Sequence, residues 1–239
     1  MKTIAISGAS RGIGFGLVEQ YSKDNHVRIL ACCRNPKNAI QLKKFSEKKP
    51  NISIHQLDVT DEKSIKNLVK ELRAYSIDIL INNAGIYRPH RSISDCVNLD
   101  DWISVFKTNA IGHYLVSQAL VENVAGSELK MIVNVSSLLG SMTCNDMGGE
   151  YMYRSSKAGL NAITKSMAID FMKQYSVTVI ALHPGRVLTD MAGSDATLAG
   201  PNARLSITES VSSIKKVLQT ITHEDNGCFF NYDGAKLAW

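Results

Sequence analysis

The most regular feature of this chain is the alternation of short apolar runs with longer amphipathic segments. The apolar runs predict buried β-strands over residues 3–6, 27–32, 52–57, 77–81, 131–135, 177–182 and 228–231. The segments between them place apolar residues at helical spacing and predict helices over residues 12–22, 37–48, 61–74, 101–124, 151–174 and 207–221. The strand-like runs are continuous rather than alternating, which is typical of parallel strands covered on both faces.

This order of elements predicts the fold class. Strands that alternate with helices are joined by right-handed crossovers, so we expect an α/β fold with a doubly wound parallel sheet of seven strands and helices on both faces. The length of 239 residues suits a single domain over residues 1–239. We expect residues 191–206 to form a mobile loop over the substrate side of an active site, and a plain surface connection is the alternative.

Composition narrows the classes of function. The net charge is 27 − 22 = +5, and the densest basic stretch, residues 37–49, also has apolar residues at helical spacing. A solvated helix face is therefore favoured over a nucleic-acid surface. No apolar run reaches about 18 residues, so we expect no membrane span. The five cysteines include no Cys-x-x-Cys pair, which favours free thiols in the cytoplasm over disulfides or a metal site.

A glycine-rich turn follows the first predicted strand, at residues 7–14. Gly8 permits a tight turn, and Gly12 and Gly14 let the main chain approach a pyrophosphate and let the helix pack on the sheet. The N-terminus of the following helix supplies free N–H groups and a partial positive charge. The turn therefore predicts a dinucleotide site.

The charged residues after the second predicted strand indicate which dinucleotide binds. Proteins that bind NAD place an Asp or Glu about 20 residues beyond the glycine-rich turn, where it holds the ribose 2′-hydroxyl. Here the second strand is followed by Arg34, and Arg11 lies in the glycine-rich turn. Two guanidinium groups can bracket a 2′-phosphate, which a carboxylate would repel. We therefore expect NADP(H) rather than NAD(H), with an ordinary surface role for Arg34 as the alternative.

A tyrosine and a lysine form the candidate acid–base pair. Tyr153 and Lys157 are four residues apart and share one face of a predicted helix. A tyrosine with a pKa near 10 transfers protons better when that value is closer to the working pH, and a neighbouring ammonium group lowers it. Taken alone, the pair is better explained as an ordinary helical tyrosine and lysine.

The motifs together resemble the signature set of the short-chain dehydrogenase/reductase family, in order and register from Lys2 to the C-terminus. The motifs are the glycine-rich turn, Asn83-Ala84-Gly85, Asn109, Ser136-Ser137, and Tyr153 with Lys157. The resemblance implies a Rossmann-type fold and an oxidoreductase. The interval from Ser137 to Tyr153 is longer than usual, which resembles the branch of sniffer-type carbonyl reductases and C-factor signalling proteins.

The resemblance also implies roles for the catalytic residues. Tyr153 would donate the proton, and Lys157 would lower its pKa and contact the nicotinamide ribose. Ser137, chosen over Ser136, would hydrogen-bond the substrate carbonyl, as an oxyanion-stabilising donor does. Asn109 would hold a water in the proton relay to Lys157.

Further positions are expected against the cofactor. The resemblance places Asp58 and Val59 at the adenine, residues 83–85 at the adenosine ribose, and the turn after the sixth strand at the nicotinamide. The complete expected set is Gly8, Ser10, Arg11, Gly12, Ile13, Gly14, Arg34, Asp58, Val59, Asn83, Ala84, Gly85, Tyr153, Lys157, Pro184, Gly185, Val187 and Thr189.

The sequence thus predicts an NADPH-dependent oxidoreductase that reduces a ketone, aldehyde or quinone, with no metal. The alternative is an NADP(H)-binding signalling or sensor protein of the C-factor type that acts through partners with little turnover. The family usually pairs through helices that correspond to residues 101–124 and 151–174, so a homodimer or homotetramer is expected.

Overall fold

The computed structural model describes residues 1–89, 94–192 and 205–239. Its strands form one sheet in the order β3-β2-β1-β4-β5-β6-β7-β8. They are β1 (Lys2–Ser7), β2 (Val27–Cys33), β3 (Ile52–Gln56), β4 (Ile79–Asn82), β5 (Met131–Val135), β6 (Thr178–His183), β7 (Phe229–Asn231) and β8 (Lys236–Leu237). All neighbours pair in parallel except β7 and β8, which are antiparallel.

Helices cover both faces of this sheet. They are α1 (Gly12–Tyr21), α2 (Ile40–Ser46), α3 (Glu62–Leu72), α4 (Leu99–Phe106), α5 (Gly112–Ala125), α6 (Tyr151–Tyr175) and α7 (Ile207–Thr220). One buried core lies between the sheet and α1, α2 and α7, and a second lies between the sheet and α3, α5 and α6. The predicted doubly wound α/β fold is confirmed.

Three details differ from the prediction. The sheet has eight strands rather than seven, because β8 adds two residues, too few to produce a hydrophobic pattern. The helix predicted at 37–48 is a 3₁₀ turn, Pro36–Asn38, followed by the shorter α2. The helix predicted at 101–124 is α4 and α5 joined by a π-helical turn, Lys107–Ile111.

Side-chain caps fix where two of the helices begin. The Asp61 carboxylate accepts hydrogen bonds from the main-chain N–H groups of Lys63 and Ser64 at 3.0 and 3.3 Å. Ser206 and Glu209 form a reciprocal capping box at the start of α7. Such caps satisfy N–H groups that have no partner inside the helix.

The order of the strands places a crevice at one edge of the sheet. The chain reverses direction across the sheet between β1 and β4, and ligands of doubly wound sheets bind outside the carboxyl ends of strands at such a point. The glycine-rich turn and residues 83–85 follow these two strands. No helix in the described ranges is long and apolar enough to cross a membrane.

The cysteines are free thiols. Cys32 and Cys33 lie in β2 and are buried, whereas Cys96 and Cys144 are exposed. Burial raises the pKa of the Cys32 and Cys33 thiols, which keeps both in the unreactive protonated form.

Candidate active site

The structure separates the two serines that follow β5. The Ser136 hydroxyl donates to Asn161 Oδ1 at 2.6 Å, in the buried interface with α6. The Ser137 hydroxyl instead accepts from the Leu139 N–H at 3.2 Å and is hydrogen-bonded to Tyr153. Ser137, the residue chosen from the sequence, is therefore the serine that lies beside the tyrosine.

Lys157 lies one turn after Tyr153 on α6, as predicted, and both side chains are turned toward the sheet. Its Nζ donates to the main-chain carbonyl of Val135 at 2.8 Å and lies 5.9 Å from the centre of the Tyr153 ring. The side chain is buried, and burial lowers the pKa of Lys157 to about 7. The lysine can therefore gain or lose a proton near neutral pH.

The protein's own groups raise the pKa of Tyr153 to about 12. Burial is the main cause; the hydrogen bond to Ser137 lowers the pKa, and the Glu150 carboxylate raises it further. The sequence predicts that Lys157 lowers the pKa of Tyr153. That prediction is wrong when only the groups of the protein itself act on the tyrosine. The physical reason is that burial disfavours the phenolate and the ammonium form together.

Asn109 ties the loop after β4 to α6. Its Oδ1 accepts from the Ile86 N–H at 2.8 Å, and its Nδ2 donates to the Ile86 carbonyl at 2.9 Å and to Ser156 Oγ at 3.1 Å. Asn109 is fully buried and lies in the π-helical turn, a distortion that often marks functional sites. Because its side chain is occupied by protein groups, any water held by Asn109 would bind its main-chain carbonyl.

The glycine-rich turn is packed too tightly for side chains. Gly8 and Gly12 have φ values of 67° and 56°, a region that favours glycine. A Cβ on Gly8 would lie 2.8 Å from Ala84 Cα, and one on Gly14 would collide with the Gly8 carbonyl oxygen. Asn83 Nδ2 donates to that same oxygen at 3.3 Å. The predicted residues 83–85 therefore pack directly against the turn.

Gly14→Ala tests this packing. We expect a loss of about 1–3 kcal/mol in the free energy of unfolding, because the added methyl group must displace main-chain atoms. Gly126→Ala is the matched control, since its Cβ would lie at an ordinary 3.4 Å from the Glu122 carbonyl oxygen. Urea denaturation of both variants measures the difference, and equal stabilities would contradict the prediction.

Two arginines lie at the phosphate end of the crevice. Arg11 precedes α1 and makes no side-chain cap there, so the first N–H groups of α1 are not used by a side chain of the described residues. Arg34 is exposed and directly follows β2. Burial raises the pKa of Asp58, but hydrogen bonds from Thr60 and the charges of Arg34 and Lys107 outweigh it, so the net effect is a lower pKa. Arg34 and Asp58 are therefore neighbours.

The turn after β6 approaches the glycine-rich turn from the other side. A Cβ on Gly12 would lie 3.7 Å from Thr189 Cγ2. The Pro184 carbonyl accepts from Ser210 Oγ at 2.6 Å, which holds this turn against α7. Gly185 has a φ of 84°, and Val187 pairs with Leu205 as a short bridge. The turn after β6 therefore lies against the glycine-rich turn, and its contact with a nicotinamide stays a prediction.

Most of the loop expected over the substrate side, residues 193–204, lies outside the described residues. Its described ends are the 3₁₀ turn Asp190–Ala192 and residues 205–206, which lead into α7. In the part of the chain that is described, no group of three His, Cys, Asp or Glu side chains could hold a metal ion.

The crevice fits a dinucleotide. Three features suit a ligand that carries phosphate groups. The N-terminus of α1 has no side-chain cap, glycines stand where the main chain must come close, and an arginine rather than an acid follows β2. Ser10 and Ile13 lie within the same turn, and Ile13 packs against the core. Val59, three residues after β3, packs against Gly112 at the start of α5.

Two residues beside Tyr153 were not identified from the sequence. The Tyr87 hydroxyl donates to Glu150 Oε1 at 2.8 Å, and the Tyr87 ring meets the Tyr153 ring edge-on at 5.5 Å and 81°. Glu150 is buried immediately before α6. The sequence feature that could have identified Glu150 was its position three residues before Tyr153, in the long interval between Ser137 and Tyr153.

Comparisons with known proteins place carbonyl reductases among the structures that this chain resembles. The chain is 33% identical to the NADPH-bound carbonyl reductase from chicken fatty liver, with a TM-score of 0.90 and coverage of 100% of this chain and 99% of that one. It is 31% identical to the carbonyl reductase Sniffer of Drosophila melanogaster, with a TM-score of 0.87 and full coverage of both chains.

A third relative carries a different kind of name. The C-signal protein of Myxococcus xanthus is 38% identical over 163 residues, which are 68% of this chain and 93% of that protein. The profile of the short chain dehydrogenase family matches residues 2–198. This chain therefore belongs to the short-chain dehydrogenase family.

Proposed function

We propose that this protein is an NADPH-dependent carbonyl reductase that acts on a ketone, an aldehyde or a quinone. The observation that carries the proposal is the buried cluster of Tyr153, Ser137 and Lys157 at the carboxyl edge of the sheet. Its phenol, hydroxyl and amine are the groups that a proton-coupled reduction of a carbonyl requires. The likeness to carbonyl reductases over the whole chain supports this proposal.

NADPH, when bound, supplies a hydride to the carbonyl carbon. Ser137 would donate a hydrogen bond to the carbonyl oxygen and stabilise the negative charge that develops there. Tyr153 would donate its proton to the same oxygen. Its raised pKa suits a donor, because the phenol stays protonated at neutral pH.

Lys157 and Asn109 would replace the proton. A lysine with a pKa of about 7 can pass a proton to the Tyr153 phenolate and regain one near neutral pH. The main-chain carbonyl of Asn109 would hold the water that connects Lys157 to solvent. The cofactor would be held by the turn at residues 8–14, Arg34, Asp58, Val59, residues 83–85 and residues 184–189.

The proposal is tested by adding NADPH or NADH to the purified protein and following nicotinamide fluorescence. 9,10-Phenanthrenequinone is then added, and the absorbance of the reduced nicotinamide is followed. We expect tight binding of NADPH and its oxidation by the quinone. Failure to oxidise NADPH with any of a broad set of carbonyl compounds would contradict a reductase, and a preference for NADH would contradict the role of Arg11 and Arg34.

Arg34→Ala tests the choice of cofactor. We expect the affinity for NADPH to fall about tenfold to a hundredfold while that for NADH stays the same, because a charged hydrogen bond contributes about 1.5–3 kcal/mol. Arg73→Ala is the control, since Arg73 is exposed at the C-terminal end of α3 and thus at the opposite edge of the sheet. Fluorescence titration measures both, and an equal loss for the two cofactors would contradict the prediction.

A second candidate function is supported by the likeness to the C-signal protein. In that case the chain would bind NADP(H) and act through a partner protein with little turnover. The complete Asn–Ser–Tyr–Lys set favours the reductase, because a pure sensor needs no proton relay. Cofactor binding without turnover on the carbonyl set would favour the second candidate.

We also propose a homodimer or homotetramer in the cytoplasm. Leu99, Ile103 and Ile111 are exposed on the α4–α5 surface, and Ile169 is exposed on α6. Apolar side chains at such density suit an interface between subunits. The free thiols suit a reducing compartment. Light scattering at micromolar concentration tests the assembly, and a monomer there would contradict it.

A further inference from the structure

We propose that Glu150, held by Tyr87, is a positioning residue that extends to higher pH the range in which Tyr153 acts as a proton donor. This inference rests on the proposed function of Tyr153. Glu150 and Tyr87 belong to different segments, the turn before α6 and the loop after β4, yet they meet beside the tyrosine.

The geometry holds Glu150 in place from two sides. Its φ of 52° places it in the left-handed region, which is uncommon for a residue other than glycine, and its main-chain carbonyl accepts from the Arg154 N–H at 2.8 Å. Its side chain accepts from the Tyr87 hydroxyl at 2.8 Å. A strained main chain at a buried acid that directly precedes the catalytic helix indicates a functional constraint rather than a surface choice.

Tyr87 connects the acid to the reacting group. Its hydroxyl binds Glu150, while its ring packs edge-on against the Tyr153 ring. The two contacts hold the Glu150 carboxylate close enough to Tyr153 for its charge to act on the phenol.

The other groups that face Tyr153 come from different elements. Ser137, after β5, hydrogen-bonds the phenol, and Lys157, from α6, lies 5.9 Å from its ring centre. From α5, the buried His113 donates from Nε2 to the Ala84 carbonyl at 2.7 Å and interacts electrostatically with Lys157. A positive Lys157 favours the phenolate, and the Glu150 carboxylate opposes it.

The consequence is chemical. A fixed negative charge in a buried site makes a second negative charge, the phenolate, harder to form. Tyr153 then keeps its proton to a higher pH, so reduction continues where the same tyrosine without the Glu150 charge would already have ionised. The burial of Glu150 and its contact with Tyr87 give the protein this control without placing the acid on the substrate.

The test compares neutral and charged side chains at position 150. Glu150→Asp and Glu150→Asn have nearly the same shape, and Asp and Asn both tolerate the left-handed region, so the pair differs in charge alone. We expect the alkaline limb of kcat against pH to move down by about one pH unit in Glu150→Asn, a loss of about tenfold in rate on that limb. Glu150→Asp should keep the limb near that of the wild type.

Glu150→Gln gives an independent reading, because its amide oxygen can still accept the Tyr87 hydrogen bond. Its alkaline limb should move in the same direction as that of Glu150→Asn. Asp146→Asn is the matched control, since Asp146 is an exposed acid in the same turn region and its removal should leave the limb unchanged. Equal pH profiles for Glu150→Asp and Glu150→Asn would overturn the proposal.

A second readout separates this inference from the proposed function. The ultraviolet difference absorbance of tyrosinate, with Tyr153→Phe used to identify the Tyr153 step, follows ionisation without turnover. We expect that step at lower pH in Glu150→Gln than in the wild-type sequence. A protein that reduces no carbonyl would contradict the proposed function, whereas an unshifted Tyr153 step would contradict the role of Glu150.

Discussion

Tyr153→Phe is expected to lower kcat for carbonyl reduction by about 10²- to 10⁴-fold, the usual contribution of a general acid. The substitution removes only the hydroxyl, so the ring contact with Tyr87 and the packing of α6 are retained. The loss would therefore report the missing proton donor rather than a damaged fold. The residual rate would come from Ser137 and the bound cofactor.

The measurement is initial-rate oxidation of NADPH with 9,10-phenanthrenequinone, together with a fluorescence titration of NADPH. Binding of NADPH should change little, because the glycine-rich turn and Arg34 are distant from the hydroxyl along the crevice. Tyr175→Phe is the control, since Tyr175 ends the same helix and packs on Phe171. Turnover by Tyr153→Phe at the wild-type rate would rule out the mechanism.

The fold followed from the sequence wherever burial alone decides the structure. Parallel strands covered on both faces must be apolar throughout, and the seven predicted runs all form strands of the sheet. The strand β8 was not predicted because two residues are too few to show a hydrophobic periodicity. The π-helical turn at Lys107–Ile111 was not predicted because it depends on a tertiary contact, the paired hydrogen bonds of Asn109 with Ile86.

The site was predictable as a set of residues but not as a set of charges. Spacing places Tyr153 and Lys157 on one helical face, and the structure agrees. Spacing does not reveal how far each group is removed from water, and that burial reverses the expected direction of the Tyr153 pKa. The role of Glu150 was hidden for a related reason, because its left-handed backbone and its contact with Tyr87 arise only in the folded chain.

Lys157→Met is expected to remove a pH dependence of stability that the wild-type protein shows in the absence of nucleotide. Burial lowers the pKa of Lys157 to about 7 from its ordinary value of 10.5. Between these values the unfolded chain binds a proton that the folded chain does not, so the free energy of unfolding rises with pH. From pH 6.5 to 8.5 this rise should be about 2 kcal/mol, and it should be absent in Lys157→Met.

Other groups do not imitate this difference. Burial lowers the pKa of His113 to about 3 and that of His183 to about 4, so both also make stability rise with pH, but mainly below pH 6.5 and thus below the range of this comparison. Lys165→Met is the control, because Lys165 is exposed on the same helix and its loss should shift stability equally at every pH. Urea denaturation at pH 6.5, 7.5 and 8.5 measures the slopes. If Lys157→Met and the wild-type protein gained stability in parallel, Lys157 would be charged throughout this range, and its place in the relay would be that of a fixed cation rather than a proton carrier.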